Sequence, residues 1–157
     1  MSAKSVKAAV RVLMVEAGLI EGGQVDVRYP RVLDNSQGRH IVLWSRRAHE
    51  VRMAGSGRSA GPIHGVKSVP WNLVVHVNQW GKNVETDYDD FEDFINKLLA
   101  LFRANSTLPG GADPDGGSIV LNFAEEMDIE NIEPEYTAQF QHYQTIITVL
   151  VEEIYNG

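Results

Sequence analysis

A chain of 157 residues, 43% hydrophobic and 22% charged, has the composition of an ordinary globular protein; at this length one domain, 1–157, buries about two thirds of its unfolded surface. The absence of cysteine excludes disulfides, thiolate metal sites and a cysteine nucleophile, and it fits a reducing compartment. A formal net charge of −7 argues against nonspecific attraction to nucleic acid, which depends on lysine and arginine neutralising phosphates.

The N-terminal Val6, Ala8, Ala9 and Val10 are interrupted by Lys7 and Arg11, a pattern unlike the continuous apolar core of a secretory signal. Val6, Val10, Leu13 and Ala17 instead predict a helix over 5–17, stopped by Gly18. Val25, Val27 and Tyr29 alternate with polar residues, and Ile41 to Trp44 follow a turn-like 34–38 segment. Two antiparallel strands joined by a loop are expected there. Gly55, Gly57, Gly61, Pro62 and Gly65 mark a long segment that should project from the body. After Pro70, the alternating Trp71, Leu73, Val75 and Val77 predict a third strand that ends at Gly81.

The strongest helical signal runs from a cap at Thr86 or Asp87 to Ala104. Acids crowd its start, Lys97 and Arg103 lie toward its end, and Tyr88, Phe91, Phe94, Ile95, Leu98, Leu101 and Phe102 form its stripe. The apolar run Leu98 to Phe102 is far below the roughly 20 residues of a membrane span. Residues 118–123 read as a fourth strand, 125–135 as an acidic connection, and 136–155 as one long strand. Its apolar residues on both faces indicate a central or interfacial position. The expected fold is α+β, in the order α-β-β-β-α-β-β, with a mainly antiparallel sheet and helices on one face.

Charge is unevenly distributed along this order. Arg46, Arg47, Arg52, Arg58 and Lys67 face one acid, Glu50, whereas Glu125, Glu126, Asp128, Glu130, Glu133 and Glu135 occur with no base among them. The basic segment has three readings: nucleic-acid contact, a solvated insertion, or an arm that orders on a repeated acidic partner, such as the 125–135 segment of a neighbouring copy.

Catalytic, metal and cofactor patterns are not found. His40, His49, His64, His76 and His142 match no metal-ligand spacing. The 61–68 stretch misses the P-loop spacing and opens no helix, and Ser56 lacks the context of a nucleophile elbow. The carboxylates of 87–93 and 125–135 read as a helix start and a solvated loop. Trp44, Trp71 and Trp80 read as core or sheet-edge residues rather than as a base-stacking platform. No enzymatic activity is expected, and no catalytic, metal-binding or cofactor-binding residue is assigned.

The Val25 to Tyr29 strand, the Pro70 to Gly81 strand, the Asp87 to Ala104 helix and the long final strand through Ile146 to Val151 together resemble the tail terminator proteins of long, noncontractile-tailed bacteriophages. The resemblance covers nearly the whole chain as an element order. It implies a homo-oligomeric ring, usually hexameric, in the neck region of the virion tail. Such a ring caps the tail tube protein, ends its polymerisation and meets the head-tail connector protein, while DNA passes through the lumen without specific binding. In that setting Arg46, Arg47, Arg52, Arg58 and Lys67 are candidate intersubunit or partner contacts, with Glu125, Glu126, Asp128 and Glu130 as complements. The 46–67 insertion departs from the compact family pattern. Another neck, connector or tube subunit, or a small-ligand-binding α+β domain, is the alternative.

Overall fold

A computed structural model describes residues 3–27, 38–47, 51–52, 66–81, 84–108, 118–121, 123–136 and 141–156. Helix α1 spans Ala3–Glu16 and buries Val6, Val10 and Met14, one residue per turn along a single stripe. Ala17, expected on that stripe, lies beyond the helix and is exposed; Met14 takes its place. The stop is a Schellman motif. Gly18 adopts φ 74°, its N–H donates to Val15 O at 3.0 Å, and the Leu19 N–H donates to Met14 O at 3.2 Å.

A 3-10 turn, Gly22–Gln24, leads into β1 (Val25–Asp26), followed by β2 (Arg39–Arg47), β3 (Val51–Arg52) and β4 (Val66–Gly81). Helix α2 (Val84–Ala104) precedes β5 (Ser118–Leu121), β6 (Met127–Tyr136) and β7 (Gln141–Asn156). The strands form one seven-stranded sheet in the order β1-β2-β4-β7-β5, with β3 also on β4 and β6 also on β7. All pairings are antiparallel except β1 with β2. The fold is α+β.

Four expectations about the strands need correction. First, β1 runs parallel to β2, and the antiparallel partner of β2 along its whole length is β4. The remainder of the expected 25–29 strand, beyond Val27, lies outside the described residues. Second, the 46–67 segment is not all loop. Arg46 and Arg47 end β2, Arg52 lies in β3, and Lys67 lies in a β4 that begins before Pro70. Pro70 falls where the β4 partner changes from β3 at Ser68 to β2 at Trp71, a gap in the ladder that accommodates a residue without an N–H.

Third, the acidic 125–135 stretch is mostly strand. Met127 and Ile129 alternate with Asp128 and Glu130, and this period of two pairs β6 with β7. Fourth, Tyr136 closes β6, and β7 starts only at Gln141. The expected central position of the final strand holds, since β7 has β4 on one side and β5 and β6 on the other.

Alternation separates the two faces of the sheet. Ile41, Leu43, Trp71, Leu73, Val75, Val77, Tyr143, Ile147, Val149 and Val151 pack with the α1 stripe and with Phe91, Phe94, Ile95, Leu98, Leu99 and Phe102 of α2 in one core. Both helices therefore cover the same face. Helix α2 begins at Val84, earlier than the expected cap, and Tyr88 is 42% exposed instead of joining the buried stripe. Beyond β5, Phe123 and Ala124 turn inward. Phe123 meets Phe102 edge-on at 5.5 Å, and Ala124 takes φ 58°.

Candidate assembly surface

Of the residues expected to carry charge, Arg46 lies on β2 at one side of the sheet and Asp128 and Glu130 lie on β6 at the other, whereas Lys67 lies inside the sheet, between β3 and β7. Arg46 is exposed on β2, its guanidinium carbon 4.7 Å from the centre of the Trp44 ring, within cation–π range. Backbone pairing places Arg47 at the end of β2, Arg52 in β3 and Lys67 in β4; Arg58 lies outside the described residues. Glu125 and Glu126 are exposed in the turn before β6, and Asp128 and Glu130 are exposed on β6 itself.

Cross-strand register connects the two margins. Arg46 pairs with Asn72, Asn72 pairs with Leu150, and the Leu150 N–H donates to Glu126 O at 2.9 Å. Arg46 and Glu126 thus occupy one row at opposite edges, three strand spacings or roughly 14 Å apart. Two rows further in, on the same face, Trp44, Val74, Thr148 and Asp128 align in the same way. Among the described residues, no strand pairs with the outer side of β6, nor with β2 beyond Val42 on its outer side.

The β6 edge is selective. Charged side chains, a proline and a bulge are the features that keep an exposed strand from pairing indiscriminately. β6 has Asp128, Glu130, Glu133 and Glu135, carries Pro134, and shifts register between Ile132 and Glu135. Two such edges repel each other, whereas a basic strand is attracted.

The face of the sheet opposite the helices carries a polar network that reading along the sequence missed. His40 Nε2 lies 3.2 Å from Asp26 Oδ2, and its Nδ1 is buried with no hydrogen-bond partner among the described residues. Asn78 Nδ2 donates to the His40 and His76 carbonyls, which leaves Asn78 Oδ1 to accept from His142 Nε2 at 3.0 Å. His76 Nε2 meets Gln144 Oε1 at 3.0 Å. Burial lowers the pKa of both His76 and His142. The Gln144 contact partly opposes this at His76; at His142, Glu135 opposes it and His76 reinforces it. The available signal was the spacing of two along His76, Asn78 and Trp80, and along His142 and Gln144. Spacing of two places residues on one face, but only strand pairing brings the two sets together.

On the helix face, a groove of about 580 Å³ opens between α2, β6 and β7. Phe91, Ile95, Leu99 and Ile129 supply apolar walls, and Asn131 accepts from the Thr145 hydroxyl at 2.9 Å within it. Ile129 is 43% exposed at this rim. Among the described residues, no group of three or more histidines and carboxylates is placed to hold a metal ion, and no helix is long and apolar enough to cross a membrane. No protein-family model matches the chain, and no curated protein matches it.

Proposed function

We propose that this chain is a structural, non-catalytic assembly subunit whose copies join head to tail into a ring, and that the ring is a phage tail terminator. The observation that carries the assembly reading is the basic and acidic margins of one sheet sharing a cross-strand row, Arg46 at one and Glu126 at the other. Complementary margins on a single chain favour a heterologous contact, which closes into a ring when the rotation suits.

The terminator assignment rests on the resemblance in element order. It gives a hexamer in the neck of the virion that seats on the tail tube protein and meets the connector protein, with DNA in its lumen. Acidic side chains facing a lumen would reduce phosphate adhesion. Another neck or tube subunit would use the same margins but cap nothing.

Native mass spectrometry over a concentration series tests the ring, and mixing with tail tubes tests the cap. A closed hexamer that stops tube growth is the expected result. A monomer at every concentration that leaves tube growth unchanged overturns the proposal.

The groove beside α2 supports a second reading, a small-ligand-binding domain, since its volume lies in the range of ligand sites and Asn131 and Thr145 offer polar groups within apolar walls. A monomer whose melting temperature rises with a metabolite mixture would favour that reading.

A further inference from the structure

We infer that the copies are joined helix to groove: the exposed apolar stripe of α1 in one copy seats in the groove between α2 and β6 of the next. This inference rests on the ring reading above and names its contact.

Exposed apolar residues provide the first argument. Among the described residues, the large hydrophobic side chains left in solvent are Val12, Val15, Tyr88, Ile129 and Tyr136, and they fall into two patches. Val12 and Val15 continue from exposed Ala8 at spacings of four and three. They form one stripe on the side of α1 opposite the buried Val6, Val10 and Met14. Tyr88 and Ile129 line the groove, and Tyr136 closes β6 within electrostatic range of Tyr88 and Tyr143. One end of the groove is aromatic, since Tyr88 and Phe91 meet Tyr143 at ring-centroid distances of 5.6 and 5.8 Å. A helical stripe laid into an apolar groove is a recurring mode of recognition.

Placement provides the second. Helix α1 packs against β2, whereas the groove lies beside β7 and β6. In the order β2-β4-β7-β6 the two patches are three strand spacings, or roughly 14 Å, apart. A chain therefore cannot fill its own groove with its own α1, but a head-to-tail neighbour can. The stripe from Ala8 to Val15 is about 10 Å long, and α2 from Tyr88 to Leu99 gives the groove about 16 Å, so the stripe fits.

Charge provides the third. Glu92 and Glu133 line the groove, while Lys7 and Arg11, one turn apart, run along one flank of α1. Two α1 helices in contact would bring these bases together, and two grooves would bring the acids together. Complementarity thus favours one of each, which is a heterologous contact and not a two-fold one.

Val12 and Ile129 are both exposed, so Val12→Glu and Ile129→Glu should leave the melting temperature of the monomer nearly unchanged. In native mass spectrometry each variant alone should raise the concentration for half-assembly at least tenfold. Mixed in equal amounts, the two should form a 1:1 dimer and nothing larger, because one brings the intact groove and the other the intact stripe. Disulfide trapping supplies an independent readout, unambiguous because the chain has no cysteine. Val12→Cys combined with Ile129→Cys, or with Tyr136→Cys, should give a reducible ladder up to the ring size for at least one pair, and none for the single variants.

A native ring that neither glutamate variant weakens, and that neither cysteine pair cross-links, overturns the helix joint while leaving the ring reading intact. Loss of assembly with Ile129→Glu but not with Val12→Glu, without cross-linking, also overturns it, the groove then taking an occupant other than α1. A wild-type chain that is monomeric at every concentration overturns both.

Discussion

The His142 imidazole lies flat on the Trp80 indole, with ring centroids 4.5 Å apart and planes 11° from parallel, and its Nε2 reaches Asn78 Oδ1 at 3.0 Å. This arrangement favours the neutral ring, because burial removes the water that would solvate a charge. His76, across the same network, is depressed by the same cause.

Acid sensitivity follows. A histidine whose folded pKa lies below its unfolded value of about 6.5 binds fewer protons in the native state, so its stabilising effect is complete above that pH. That effect is lost as pH falls through the lower folded value. Thermal melts at pH 7.5 and 5.5 should show a decrease on acidification, and His76→Gln with His142→Gln should make the decrease smaller. Glu135, which faces His142, works in the opposite direction, and Glu135→Gln should enlarge it.

Arg39 shows how a charge is accommodated beside the core. Its guanidinium donates to Gln79 Oε1 at 2.8 and 3.0 Å and to Asp90 at 3.3 Å, and it lies 3.9 Å from the Phe94 ring centre. Arg39→Ala should cost about 1–2 kcal/mol in urea denaturation, through the lost ring contact and the unpaired amide. Asp90→Asn should cost under about 1 kcal/mol, because that carboxylate is 67% exposed and its pair is screened.

Phe102 is fully buried where α2 crosses the turn that follows β5. Phe102→Ala should destabilise the fold by about 3–5 kcal/mol, measured by equilibrium unfolding. Phe102→Leu should lose markedly less, since it leaves a smaller cavity.

Edge protection can be examined apart from ring formation. Replacing Asp128 and Glu130 with threonine keeps strand propensity but removes the repulsion between like edges. Size-exclusion chromatography should then show heterogeneous, concentration-dependent aggregates. An unchanged elution profile would mean that these acids do not protect the edge.

Local periodicity was enough to reveal the helices and most strands. Val6 and Val10 at helical spacing, the α2 stripe through Phe91, Leu98 and Phe102, and the alternation from Trp71 to Val77 each follow from chain geometry, which any packed core must respect. The two-sided apolar pattern of residues 145–151 likewise marked a central strand. Charge density misled where it outweighed periodicity. The acids of 125–135 suggested a solvated connection, yet an edge strand exposes one margin and tolerates them, and Met127 and Ile129 were enough to seat it.

By itself the sequence determined the α+β class, the helix stripes, the absence of cysteine chemistry and the separation of basic from acidic segments, because composition and local periodicity encode these directly. Tertiary structure alone decided that β1 runs parallel to β2, that Arg46 and Glu126 share one cross-strand row, and that His76, His142, Asn78 and Gln144 form one network. Those relationships depend on which strands pair and in what register, and pairing between distant segments is set by burial of the whole sheet against its helices.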